Sequence, residues 1–175
     1  MTKTVSLHEA FGLDIANLAA GWLDLWGVPN LTPDVQVRFS SRMYRAVGRC
    51  YPARRVMAFA AAVQEMPQRT VCEVLCHELA HMAAFELFGP TIKPHGVQWK
   101  GLMQAAGYPP AVTFRDPASI DLLRRRAPVR TGYLHRCPRC RASRISNRRM
   151  RRWRCGPCYE IGFDGQLEIT RVQRA

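Results

Sequence analysis

Apolar residues recur at helical spacing from Leu7 to Trp26, broken by Glu9, Asp14 and Asp24, and Ser6 with Glu9 forms a capping box at the start. The pattern predicts an amphipathic helix over 7–26. Two or three short strands follow, at 35–40 and 55–60, with Pro52 in the intervening turn. Helical spacing returns in Val74, Leu75, Leu79, Met82, Ala83, Phe85 and Leu87; Thr70 to Glu73 reads as its capping box and Gly89-Pro90 as its stop. A second helical stretch runs from Gly96 to Ala106 and is closed by Gly107 and Pro109-Pro110. Asp116-Pro117 opens a short helix carrying Leu122 and Leu123, and Phe163 to Ile169 is expected as a last strand. The expected fold class is a small α+β domain followed by a second, smaller module.

The long central helix carries His77-Glu78-Leu79-Ala80-His81. Imidazoles at i and i+4 lie on one face, on the order of 6 Å apart, so both can reach one Zn²⁺ at about 2.0–2.1 Å. Glu78 then flanks the metal without ligating it, placed to take a proton from a zinc-bound water whose pKa falls to roughly 7. Two ordinary surface histidines are the bland alternative. A catalytic zinc needs a third protein ligand, and His95 is the best candidate, because it opens the second helical stretch and a hairpin can fold it back over the first. Ala84 and Phe88 stand where an extended zincin motif requires Gly and His. Glu86, five residues past His81, points roughly 140° away around the helix and is not expected to ligate.

Cysteine spacing marks a second metal site. Cys137-Pro138-Arg139-Cys140 and Cys155-Gly156-Pro157-Cys158 are two CxxC knuckles, and together they supply a tetrahedral Cys₄ set of the zinc-ribbon kind. With four protein ligands such a site is structural. Cys72 and Cys76 share a helix face as core residues, and Cys50 is a buried or free thiol. Two zinc ions per chain are therefore expected, one catalytic and one structural.

Charge sharpens the division. Of the net +13, residues 1–123 contribute eleven Lys+Arg against ten Asp+Glu, whereas residues 124–175 contribute fifteen against three. Arg124, Arg125, Arg126, Arg144, Arg148, Arg149, Arg151, Arg152 and Arg154, interleaved with Trp153, suit phosphate contacts plus stacking on unpaired bases. An anionic membrane or an acidic protein could also meet such a surface. A metal-held hairpin displaying arginines favours DNA, read through backbone and structure rather than base sequence, with single-stranded or junction-containing DNA preferred.

The run from His77 to His81, through His95-Gly96-Val97-Gln98-Trp99, to Met103 resembles the SprT-like (Spartan) family of zinc metallopeptidases. The approach segment, Val35 to Phe39 and Arg42 to Gly48-Arg49-Cys50, is also similar, as is the tail with its paired cysteines, so the likeness spans roughly 35–170. Trp99 stands where many members carry phenylalanine, a change expected to be harmless. The resemblance implies a zincin-like metallopeptidase domain with a C-terminal β zinc ribbon. It also implies a substrate class, proteins bound or crosslinked to DNA, cut with low sequence specificity.

The expected organisation is a peptidase domain over 1–125, a basic linker over 126–132 and an arginine-rich zinc ribbon over 133–175. No stretch is apolar enough to span a bilayer and no secretory leader is evident, so the chain is expected in the cytoplasm, nucleoid-associated if bacterial, as a monomer without a membrane partner. Two rivals stand beside the DNA-associated peptidase. One is a DNA-binding ribbon protein with a silent zincin-like domain, against which the intact Glu78 weighs. The other is a metallopeptidase unrelated to DNA.

Overall fold

The amino-terminal helix is two helices. In the computed structural model, which describes residues 3–114, 116–125 and 131–173, α1 spans Leu7–Phe11 and α2 spans Leu13–Leu25. Gly12 between them sits at φ 84°, a left-handed conformation that glycine adopts without a Cβ penalty and that ends one helix before the next begins. The capping box at Ser6 does form. The Glu9 N–H donates to Ser6 Oγ at 3.2 Å, and the Ser6 N–H donates to Glu9 Oε2 at 2.9 Å.

The chain divides into two compact units, Met1–Ala127 and Pro128–Ala175. The first holds a three-stranded sheet of β1 (Gln36–Ser40), β2 (Gly48–Tyr51) and β3 (Val56–Ala60), in the order β1-β3-β2. β1 runs parallel to β3, and β2 antiparallel to it. Pro52 opens the 3-10 turn Pro52–Arg54 that links β2 to β3. Register puts Val37, Met57 and Cys50 in one row and Phe39, Phe59 and Gly48 in another. That face is the core side, with Val37, Met57 and Phe59 fully buried.

Helix α3 (Gln68–Phe88) packs against β2 and α2, and α4 (Val97–Ala105) packs against α3. α3 begins earlier than Thr70. Pro67 is its N-cap residue and no side-chain cap bond forms, so Thr70 lies inside the first turn and the expected box is not made. Gly89, at φ 80°, ends α3 as expected, its N–H bonding Phe85 O at 2.9 Å. Trp22, Leu23, Leu75, Leu79, Trp99 and Met103 fill the centre of the core, and Trp26 Nε1 donates to Leu102 O at 2.9 Å, tying α2 to α4. The short helix α5 (Pro117–Arg125) is capped by Asp116, which accepts the Ser119 N–H at 2.9 Å.

The second unit is a sheet of β4 (Thr131–Arg136), β5 (Ser143–Ser146) and β6 (Glu168–Gln173), ordered β5-β4-β6 and antiparallel throughout, with the one-turn helix α6 (Gly156–Glu160) between β5 and β6. The last strand therefore starts at Glu168 rather than Phe163. Gly162 at φ 89° and Gly165 at φ 62° turn the chain first, and Asp164 Oδ1 accepts the Gln166 N–H at 3.0 Å. The buried cluster of this unit is Cys137, Cys155 and Cys158 with Leu167 packed on them. Among the described residues no helix is long and apolar enough to cross a membrane.

Candidate active site

Helix α3 carries His77 and His81 on the side facing the loop before α4, where His95 sits, and Glu78 beside them towards β2. The three Nε2 atoms form a triangle with sides of 3.3 Å (His77–His81), 3.1 Å (His81–His95) and 3.3 Å (His77–His95). Three vertices of a tetrahedron around a metal with bonds of about 2.0–2.1 Å lie about 3.3–3.4 Å apart. The donor set therefore fits a zinc ion with a fourth position left for another ligand.

The second ring nitrogens are also engaged. His77 is hydrogen-bonded to the backbone of Ala111, and His81 to that of Pro94. With Nε2 pointing inward, these bonds fix the rings through Nδ1–H, as the outer partners of metal-binding imidazoles do. Desolvation, then the neighbouring imidazoles, lowers the His77 pKa to about 4 and that of His81 to about 3; desolvation also lowers His95. All three are neutral at pH 7, the form that can ligate.

Trp99 is the platform behind the triangle. Its ring is fully buried, lies 4.7 Å from those of His77 and His95, and stacks on His81 at 5.4 Å. Its Nε1–H also donates to His77 O at 3.2 Å. A phenylalanine would keep the ring but not this bond, so the tryptophan is more than a neutral replacement.

Glu78 is 6% exposed and faces β2. A Cβ built on Gly48 would lie 2.5 Å from Glu78 Oε1 and 2.8 Å from its Cγ, so the glycine is needed for space rather than for conformation. Burial raises the carboxyl pKa to about 7, against the lowering effects of the Cys50 backbone hydrogen bond and the Arg49 charge. Glu78 lines the same cavity, of about 520 Å³, as His77, His81 and His95, and Arg49, Ile92 and Val112 also border it. A second cavity of about 410 Å³ shares Gly48, His77, Glu78 and Val112 and extends towards Phe114, Ile120 and Leu123. Glu86 does not point at the triangle; its Oε1 pairs with Arg55 Nη2 at 3.5 Å. Burial, then the Glu78 charge, raises the Cys50 thiol well above its ordinary pKa. Cys72 and Cys76 are buried core thiols.

In the second unit Cys137, Cys140, Cys155 and Cys158 converge, their sulfurs all within 4.8 Å of one another. Sγ of Cys137 is 3.7 Å from that of Cys158, and Sγ of Cys140 is 3.4 Å from that of Cys155. Zinc–thiolate bonds of about 2.3 Å require separations of about 3.8 Å. Backbone N–H groups of Cys140 and Arg139 bond the Cys137 sulfur and lower its pKa to about 6. This group could hold a metal ion.

The arginines fall on both units. Arg124 and Arg125 end α5, and Arg125 Nη2 lies 3.7 Å from Asp121 Oδ2; Arg126 lies outside the described residues. Arg144, Arg148, Arg149, Arg151, Arg152 and Arg154 belong to the second unit and are all exposed. Arg144 lies over the Trp153 ring, with Cζ 4.5 Å from its centroid. That ring packs 5.1 Å from His135, which is buried in β4 and was not marked by any spacing in the sequence. His135 Nε2 accepts the Met150 N–H at 2.9 Å and Nδ1 lies 3.1 Å from Tyr133 O, so it ties the arginine arm to the sheet.

The sequence model of the SprT-like family matches residues 20–117. The chain is 41% identical over 66 residues to Protein SprT of Pseudomonas aeruginosa strain LESB58, covering 37% of this chain and 36% of that protein. It is 30% identical over 115 residues to Protein SprT of Pseudomonas fluorescens strain Pf0-1, covering 61% and 66%. The matched part thus spans 36% of the length of the first relative and 66% of the second. Because the family match takes in His77, Glu78, His81 and His95 together with the strands and helices that hold them, the chain belongs to the SprT-like family.

Proposed function

We propose that this chain is a DNA-associated zinc endopeptidase acting on proteins bound or crosslinked to DNA. The observation that carries the reading is the Nε2 triangle, 3.1–3.3 Å on a side, opening into the same cavity as the buried Glu78 carboxyl. In a zincin-like arrangement His77, His81 and His95 hold Zn²⁺. A zinc ion there supplies Lewis acidity, lowering the pKa of water to roughly 7 and polarising a peptide carbonyl. Glu78 accepts the proton of the attacking water and passes it to the leaving amine nitrogen. Burial raises the Glu78 carboxyl above the usual carboxylate range, the direction a group that both takes and returns a proton near neutral pH needs. The Gly48 backbone and the Cys50 hydrogen bond hold the carboxyl in place, and Trp99 holds the imidazoles.

In the second unit a structural zinc on the four cysteines fixes the hairpin, and its exposed arginines with Trp153 bind DNA through phosphates and stacking. Among the described residues, none of Arg144, Arg148, Arg149, Arg151, Arg152 and Arg154 is paired with a carboxylate. Their charge is thus free for an external anion. The substrate class is what the family resemblance implies, and this surface supports it.

The test is cleavage of a DNA-bound protein, with and without DNA, by wild type and by Glu78→Gln. The variant should bind zinc as wild type does and lose cleavage. Undiminished cleavage by Glu78→Gln would end the peptidase assignment, and a rate indifferent to DNA would remove the DNA association.

A further inference from the structure

The outer face of the first sheet is a basic groove that the charge balance of residues 1–123 conceals. β1 and β2 flank β3, and register places Arg38 and Arg49 on either side of Ala58 in one row. The small Ala58, 2% exposed, forms the floor between two guanidinium-bearing side chains. The loop between β1 and β2 adds Arg42 and Arg45, and the resulting cavity of about 470 Å³ is also lined by Tyr44 and Tyr51 but by no acidic residue. Arg38 lies over the Tyr51 ring with Cζ 5.3 Å from the centroid, and Arg45 lies 5.9 Å from that of Tyr44. Arg49 hydrogen-bonds the Tyr51 side chain.

Ion pairing does not account for the cluster. Among the described residues the arginine–carboxylate pairs are Arg55 with Asp34 and Glu86, and Arg125 with Asp121. Arg38, Arg42 and Arg45 have no carboxylate partner among the described residues, while Arg49 also acts on Glu78; guanidinium groups gathered in this way repel one another and are relieved by an external anion. Guanidinium forks match phosphate oxygens, and aromatic rings such as those of the half-buried Tyr44 and Tyr51 can stack with bases. A free phosphate would use the forks alone; the two tyrosines beside four arginines suit a strand.

We propose that this face of the first unit is a second binding site for single-stranded nucleic acid, distinct from the arginine arm of the second unit. It lies on the opposite side of the sheet from the row containing Gly48, against which Glu78 packs. The proposal does not depend on peptidase chemistry at the metal triangle.

The experiment uses the full chain with zinc and a fluorescent oligothymidylate, in two backgrounds: wild type, and a variant with Arg148, Arg149, Arg151 and Arg152 changed to Ala. In each, Arg38→Ala with Arg42→Ala is compared with Arg38→Lys with Arg42→Lys. Loss of two phosphate contacts should weaken binding by about tenfold or more at 0.1 M salt and flatten the log–log salt slope by about 1.4. The lysine pair should retain most of the affinity, which separates lost charge from lost folding. Photocrosslinking of the oligonucleotide to Tyr44 or Tyr51 in the arm-depleted background is the positive result. Unchanged affinity and slope for the alanine pair in both backgrounds would overturn the site. So would inorganic pyrophosphate competing as strongly as the oligonucleotide, since that marks a small-anion site. Loss of binding only in the arm-depleted background, with no effect of Arg38 and Arg42, would leave the second unit as the sole contact and refute the proposal.

Discussion

A methyl group at position 48 has no room. Its carbon would sit 2.5 Å from Glu78 Oε1 and 2.8 Å from Cγ, so Gly48→Ala must push the carboxyl aside while leaving the three imidazoles alone. Because displacement of a catalytic group by about 1 Å can cost on the order of 10²-fold, the proposed role of Glu78 predicts that this variant retains zinc and loses most of its kcat, measured beside metal content on one sample. The same carboxyl gives a pH signature in the metal-free protein. His77 and His81 have folded pKa values of about 4 and about 3, below the ordinary 6.5, so they contribute stability above pH 6.5 that is lost as pH falls towards those values. Glu78, raised from 4.5 to about 7, contributes the opposite way: its stability is fully present below pH 4.5 and lost as pH rises through 7. Between pH 6.5 and 4.5 His77 and His81 outnumber Glu78 by one proton, and His95, also lowered, acts in the same direction, so this site should cost at least about 1.4 kcal/mol per pH unit of acidification. Removing the compensating group with Glu78→Gln should steepen that slope, as urea unfolding of chelator-treated protein at several pH values would show. The placement of His77 and Glu78 on one helix was legible because a helix repeats locally. Gly48 was not, because its duty arises from β2 packing on α3 across some thirty positions of sequence, and the Ala111 and Pro94 partners have no side-chain signal at all.

At the scale of elements, the start of α3 shows why a local motif is necessary but insufficient. Ser6 and Glu9 form a reciprocal capping box, whereas Thr70 and Glu73 have the same spacing and form none. Pro67 decides the second case. Its extended ψ of 142° and fixed φ of −55° start the helix at Gln68, so Thr70 is already a helical residue whose hydroxyl is not placed to cap. Ser6→Ala should therefore cost about 1 kcal/mol, while Thr70→Ala should stay within about 0.5 kcal/mol, in parallel thermal or urea unfolding. Equal costs would mean that Thr70 caps after all. Gly12 acts in the same way on α1 and α2, ending a periodic apolar stretch that reads as one helix from spacing alone. The strand pairing was hidden for a different reason. Arg38 and Arg49 are eleven positions apart and meet over Ala58 only once β1 has paired parallel and β2 antiparallel with β3.

For the whole molecule, the two units rest on different sources of stability. The first buries an extended apolar cluster, including Trp22, Leu23, Phe59, Leu75, Leu79 and Trp99, and needs no metal to remove that surface from water. The second, Pro128–Ala175, has Cys137, Cys155 and Cys158 with Leu167 as its buried cluster. A unit of this size rarely folds on so small a core without a metal or disulfides, and none of the four cysteines of the cluster is in a disulfide. If zinc binds there, its binding free energy is folding free energy for the unit. Without it the four sulfurs do not share one charge state: backbone N–H groups lower Cys137 to about 6, whereas burial, then the neighbouring thiols, raises Cys158 to about 12. A strong chelator should therefore have unequal effects, which amide hydrogen exchange can resolve along the chain. Amides of β4, β5 and β6 should lose protection, while those of α2, β3 and the buried turns of α3 keep theirs, and zinc should restore the pattern. Replacing Cys155 by Ser should mimic the chelator in the second unit alone and reduce bound zinc from about two ions per chain to about one. Persistent protection of β4 in metal-free protein would show that Leu167 and His135 suffice to hold the sheet, and would separate the display of the arginines from metal binding.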